Sequence, residues 1–108
     1  MIKKYNKLIR DRILEIIEGA GEKPYHRTLL KSEFQREIKK KILEEASELL
    51  KAKTKEEIVN EIVDIQELIN VLAAELKVKT LDIRRAQNKK SQARGGFKKR
   101  LFLIKTTK

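Results

Sequence analysis

The sequence predicts an all-α domain, and three features of its 108 residues support this class. Apolar residues recur at helical spacing in long segments, Ser or Thr followed three residues later by Gln or Glu marks two helix starts, and glycines interrupt the pattern at expected helix ends. We expect four helices per chain, centred on an antiparallel hairpin of the second and third and completed into a bundle by oligomerisation.

The first two helices are predicted from apolar spacing and capping signals. The first covers residues 8–18, before a Gly-Ala-Gly sequence that ends it. Residues 22–30 are expected to form a loop. Ser32, with Gln35 three residues later, has the pattern of a capping box, so the second helix is expected to begin there and to run to about Ala52.

The third helix is the most apolar segment of the chain. Thr54 and Glu57 form a second capping-box pattern at its start, after a tight turn. It is apolar round more than half its circumference and must be covered on several sides, which predicts a homodimer or a larger homo-oligomer. A shorter fourth helix is expected from Thr80 to about Ser91, and residues 97–104 end in a β-prone apolar run typical of a short extended segment.

The composition excludes several classes of protein. There is no Cys and a single His, His26, which argues against disulfide scaffolds, thiol catalysis and His- or Cys-based metal sites. The longest apolar runs, 71–74 and 101–104, are far shorter than the ~20 residues of a membrane span. The first residues lack the apolar core of a signal peptide. We therefore expect a cytoplasmic protein with no membrane partner.

Positive charge is concentrated at the C-terminal end. The net charge is +11, and residues 1–76 contain equal numbers of basic and acidic side chains. Residues 77–108 therefore carry the whole excess, with Asp82 as their one acid. Such a segment attracts a polyphosphate or a nucleic acid, although basic tails are also often merely solvated.

Acidic residues recur at matching positions on the two central helices. Glu45 and Glu48 lie on the second helix, and Glu61 and Asp64 on the third, each pair three residues apart and thus on one helix face. In an antiparallel hairpin Glu45 is level with Asp64, and Glu48 is level with Glu61. Both pairs are symmetric about a point within one residue of the predicted turn. A helical wheel turns Glu44 outward.

Four converging carboxylates repel one another unless a cation lies between them. An all-oxygen site suits a hard divalent cation, Mg²⁺ or Mn²⁺. One acidic pair is common by chance on a helix surface. Two pairs at mirror positions across a turn favour a metal site instead.

The acidic pattern also resembles a known signature. Glu44-Glu45-x-x-Glu48, twelve residues and Glu61-x-x-Asp64 resemble the motif of the all-α nucleoside triphosphate (NTP) pyrophosphohydrolases. That superfamily includes MazG, dimeric dUTPases, dCTP pyrophosphatases and phosphoribosyl-ATP pyrophosphohydrolase. Residues 5–13 (YNKLIRDRI) and 94–97 (RGGF) resemble its small house-cleaning NTP pyrophosphatases, which usually have Pro where this chain has Leu14.

The resemblance covers nearly the whole chain and implies one MazG-like domain over residues 1–108. The implied reaction is Mg²⁺-dependent hydrolysis of a surplus or non-canonical NTP to the monophosphate and pyrophosphate, with Mn²⁺ as an alternative cofactor. The implied metal ligands and catalytic carboxylates are Glu45, Glu48, Glu61 and Asp64, with Glu44 as a further catalytic candidate. The candidate donors to the substrate's phosphates are Lys90, Arg94, Lys7, Arg10 and Asn6.

Alternatives remain for some residues and for the function. Asn6 is also a candidate N-cap, and Lys7 and Arg10 are equally consistent with a solvated helix surface. Phosphoribosyl-ATP pyrophosphohydrolase of histidine biosynthesis shares the fold and the acidic motif, but the N-terminal signature argues against it. A basic nucleic-acid-binding or regulatory protein with a degenerate site is the third hypothesis, and the few aromatic residues do not favour it.

Overall fold

The computed structural model describes all 108 residues and contains four helices and no strand. The prediction of an all-α chain is confirmed. The helices are α1 (Ile13–Gly19), α2 (Lys31–Lys51), α3 (Lys55–Glu75) and α4 (Thr80–Arg94).

Helices α2 and α3 pack against each other as the predicted antiparallel hairpin. The turn between them is short because Thr54 caps α3: its hydroxyl oxygen accepts a hydrogen bond from the Glu57 backbone N–H at 3.1 Å. The Thr54 hydroxyl in turn donates to the Glu57 carboxylate at 3.0 Å. The turn of the hairpin therefore lies where the capping pattern predicted it, between Lys51 and Lys55.

The N-terminal segment differs from the prediction. Helix α1 begins at Ile13 rather than at Leu8, and Arg12 rather than Asn6 occupies its N-cap position. Asn6 has a positive φ of 47°, a left-handed conformation that does not continue into a right-handed helix. Residues 7–12 have no helical structure, and Arg10 among them contacts Asp64 of α3.

The start of α2 also differs. Helix α2 begins at Lys31, one residue before Ser32, which therefore does not cap it. The carboxylate of Glu33 accepts a hydrogen bond from the Leu30 backbone N–H at 3.1 Å and is held by Arg27 at 2.9 Å. This pair satisfies the first free N–H of the helix and lets it begin earlier. The end is as predicted, since Ala52 is the C-cap.

Helix α4 is longer than predicted and is followed by an irregular segment. It extends to Arg94 and ends at Gly95, whose φ of 81° suits glycine. Residues 101–108 form no regular secondary structure, so the expected extended segment forms no strand. Every residue from 76 to 108 is exposed.

Little of the chain is shielded from solvent. Ile38 is the one fully buried residue, and large apolar side chains are exposed on α3 and α4, including Ile62, Val63, Ile69 and Leu81. The radius of gyration is 18.6 Å, whereas a compact domain of this length has about 13 Å. None of the helices combines the length and apolar character that a membrane crossing requires.

Candidate active site

Three acidic side chains meet between α2 and α3. One carboxylate oxygen from each of Glu45, Glu61 and Asp64 lies within 4.8 Å of the other two. Glu45 comes from α2, and Glu61 and Asp64 lie three residues apart on one face of α3. All three are half-buried. These residues are called the acidic cluster below.

Glu45 is the member of the acidic cluster with the most perturbed ionisation. Its side chain is only 15% exposed. Burial, and then the adjacent Glu61 and Asp64 carboxyl groups, raise the pKa of Glu45 from 4.5 to about 7, and Lys41 opposes this change. Burial and the neighbouring carboxyl groups therefore both disfavour the ionised form of Glu45.

Two cations of the chain flank the acidic cluster. Lys41, one helical turn before Glu45 on α2, has its amino nitrogen 3.9 Å from a Glu45 carboxylate oxygen. Arg10, from the N-terminal segment, has its Nη2 atom 2.6 Å from Oδ1 of Asp64. The role of Lys41 was not predicted, although its i,i+4 spacing from Glu45 is the signal that could have identified it.

Glu61 supplies an unpaired acceptor. Its Oε2 atom is buried and has no hydrogen-bond partner. A buried carboxylate oxygen without a partner is costly, so this atom is suited to contact a cation. A donor set made only of carboxylate oxygens fits a hard divalent cation such as Mg²⁺ or Mn²⁺.

The remaining predicted carboxylates lie outside the acidic cluster. Glu48 is 54% exposed, and its carboxylate lies 4.0 Å from the amino nitrogen of Lys51 on the same helix. Glu44 is exposed, as the helical wheel predicted. The structure therefore brings together three of the four predicted metal ligands.

The predicted phosphate-binding residues are distributed differently. Of these, Arg10 alone makes an ion pair with the acidic cluster. Lys7 and Asn6 are exposed, and the Lys7 amino nitrogen lies 5.6 Å from the centroid of the Tyr5 ring. Lys90 and Arg94 are exposed on the last turns of α4, and the structure gives them no ion pair.

The fold and this site define a class of protein: an all-α domain whose clustered carboxylates lie on two antiparallel helices. The family model of phosphoribosyl-ATP pyrophosphohydrolase matches residues 2–91. The chain belongs to this family, which is part of the all-α NTP pyrophosphohydrolase superfamily that the acidic motif resembles. Comparison with curated proteins and with solved structures found no match.

Family membership has a direct consequence for the site. It implies a pyrophosphohydrolase that acts on a nucleotide-like substrate and depends on a divalent metal. The matched region contains the whole acidic cluster and both cations beside it. It ends at Ser91, before Arg94 and the RGGF sequence.

Proposed function

We propose that this protein hydrolyses a nucleoside triphosphate to the monophosphate and pyrophosphate, using Mg²⁺ and accepting Mn²⁺. The observation that carries the proposal is the convergence of Glu45, Glu61 and Asp64 within 4.8 Å, in a region that matches a pyrophosphohydrolase family. The buried, unpaired Oε2 atom of Glu61 supports a cation in this position.

The proposed ligands are Glu45, Glu61 and Asp64, with Glu48 joining them by a change of its exposed side-chain rotamer. A bound divalent cation supplies positive charge for the phosphate oxygens and lowers the pKa of an attacking water. The acidic cluster holds that charge in place, and the half-buried position of its side chains limits competition by bulk water. Water attacks the α-phosphorus and gives up a proton to a nearby carboxylate that the metal does not fully engage, while the bond from the α-phosphorus to the bridging oxygen breaks and pyrophosphate leaves with that oxygen.

Donors for the substrate's phosphates are proposed at both ends of the matched region. Arg10 and Lys7, with Asn6, are on the N-terminal segment, and Lys90 and Arg94 are on α4. The short distance from Arg10 to Asp64 supports a position for this guanidinium beside the metal. An arginine binds phosphate oxygens with two parallel hydrogen bonds, so the same side chain is suited to the substrate.

Two substrates are consistent with the family. The N-terminal YNKLIRDRI sequence favours an NTP, and surplus or non-canonical nucleotides are the proposed group. The description of the matching family favours phosphoribosyl-ATP. Both reactions release pyrophosphate from a nucleotide triphosphate group, so the acidic cluster has the same role in each.

We also propose that the chain self-associates, at least as a homodimer. Only Ile38 is fully buried, and α3 exposes large apolar side chains along its length, such as Ile62 and Ile69. A chain with so little burial has too little hydrophobic stabilisation to offset the entropy of folding. A second copy that covers α3 would supply the missing burial.

A pyrophosphate-release screen tests the proposed reaction. The panel contains the canonical NTPs, modified NTPs and phosphoribosyl-ATP, each with Mg²⁺, with Mn²⁺ and with a chelator. Glu61→Gln should lower kcat/KM by at least a hundredfold, because the cluster loses a buried charge that holds the cation. The control is Glu67→Gln, which removes an exposed carboxylate from the same helix. Equal activity of the two variants would refute the proposed site.

A further inference from the structure

The N-terminal segment makes one notable contact with the helical hairpin. Of all side-chain hydrogen bonds, the one from Arg10 to Asp64 alone joins residues more than six positions apart. It therefore links a non-helical segment to a member of the acidic cluster. Arg10 lies where a positive charge relieves the repulsion between the carboxylates.

The two cations beside the cluster differ in how firmly they are held. Lys41 is 19% exposed and is carried by the same helix as Glu45, so its position follows from the helix itself. Arg10 is 56% exposed and belongs to a segment without regular structure. An ion pair that is this solvated contributes little to stability, so its separation costs little. Arg10 is thus the cation that can leave.

From this geometry, and on the basis of the proposed function, we infer that Arg10 is an exchangeable counter-ion of the acidic cluster. Its guanidinium lies 2.6 Å from Asp64 and offsets that carboxylate's charge. A divalent cation takes over Asp64, and the released guanidinium becomes available to the phosphates of the substrate. Arg10 would therefore weaken metal binding in the free protein and strengthen phosphate binding in the metal-loaded protein.

The physical reason is the competition of two positive charges for one carboxylate. A guanidinium that stays at Asp64 repels a divalent cation a few ångströms away. At that separation, in a largely aqueous environment, this repulsion and the loss of the Arg10–Asp64 ion pair together weaken the binding of a divalent cation by about three- to tenfold. A group that only supports the fold would change metal and phosphate binding in the same direction.

The test compares wild type with Arg10→Gln, Arg10→Lys and the matched control Arg12→Gln. Arg12 is a neighbouring arginine that pairs only with Glu15, within one helical turn, and is 84% exposed. Calorimetry with Mn²⁺, in the absence of nucleotide, gives the metal affinity. Calorimetry with inorganic tripolyphosphate, at saturating Mn²⁺, gives the phosphate affinity.

Opposite effects in the two titrations support the inference. Arg10→Gln should bind Mn²⁺ about three- to tenfold more tightly and tripolyphosphate about fivefold or more weakly. Arg10→Lys should lie between Arg10→Gln and wild type, and Arg12→Gln should match wild type. Thermal unfolding without metal, where Arg10→Gln should lower Tm by a few degrees, checks that the variant folds.

Two results would overturn the inference, and they are distinguishable from failure of the proposed function. If wild type releases pyrophosphate but Arg10→Gln binds Mn²⁺ no more tightly than wild type, the exchange is contradicted and the proposed reaction still stands. Unchanged tripolyphosphate binding contradicts the transfer of Arg10 to the substrate. A wild-type chain that neither binds Mn²⁺ nor releases pyrophosphate refutes the proposed function and the exchange with it.

Discussion

Replacing Glu45 by Gln should stabilise the metal-free protein at pH 8 while abolishing metal-dependent hydrolysis. Glu45 is half-buried beside Glu61 and Asp64, and its pKa is raised to about 7. At pH 8 the folded chain must therefore keep an ionised carboxylate in a place that disfavours it. Glutamine has nearly the same shape and no charge, so it removes this cost.

The magnitude follows from the pKa of Glu45. A rise from 4.5 to about 7 corresponds to about 3 kcal/mol against the ionised form, and structural relaxation reduces the measurable part to about 1–2 kcal/mol. Between pH 4.5 and about pH 7, Glu45 binds more protons in the folded state than in the unfolded state. The contribution of Glu45 to stability is therefore present below pH 4.5 and is lost as pH rises through 7.

Urea denaturation at pH 5 and pH 8 measures this effect, with a chelator present and at constant protein concentration. Glu45→Gln should raise the free energy of unfolding by about 1–2 kcal/mol at pH 8 and by roughly a quarter as much at pH 5. The control Glu44→Gln, an exposed neighbour on α2, should change it by less than about 0.5 kcal/mol at either pH. A loss of stability in Glu45→Gln at pH 8 would refute this reasoning.

Three further outcomes are expected. Lys90→Ala or Arg94→Ala should reduce kcat/KM about tenfold, whereas Lys105→Ala or Lys108→Ala should leave it within about twofold. If all four variants instead lose the same small amount of activity and of RNA or DNA affinity, the segment binds nucleic acid. Thr54→Ala should lower the free energy of unfolding by about 1 kcal/mol, because α3 loses its N-cap, as urea titration would reveal. Light scattering at micromolar concentration should give at least twice the chain mass of 12.7 kDa, and a monomer would contradict the proposed self-association.

The amino-acid sequence alone determined the helical hairpin and the level of the acidic residues within it. The cap at Thr54 is a local interaction, and helical spacing is a local periodicity, so both are readable from a few neighbouring residues. Once the turn is located, geometry requires Glu45 and Asp64 to be level with each other. The outward position of Glu44 was predictable because helical periodicity alone fixes its angle from the apolar face of α2.

Boundaries that depend on distant or competing partners were not predictable in this way. Helix α1 begins at Ile13, after a segment in which Arg10 contacts the distant Asp64, and at the start of α2 Glu33 accepts from the Leu30 N–H while it pairs with Arg27. Capping patterns in the sequence identify residues that are able to cap. They do not decide which of several candidate residues caps the helix.

Only the tertiary structure decided which charges surround the acidic cluster. Glu48, predicted as a fourth ligand, is 54% exposed, lies 4.0 Å from the amino nitrogen of Lys51 and is not among the three carboxylates that converge. The 2.6 Å contact of Arg10 with Asp64 joins residues 54 positions apart, and no periodicity encodes the path of a non-helical segment. The sequence thus determines where carboxylates face one another, because helices are regular, and tertiary packing determines their counter-ions, because loops are not.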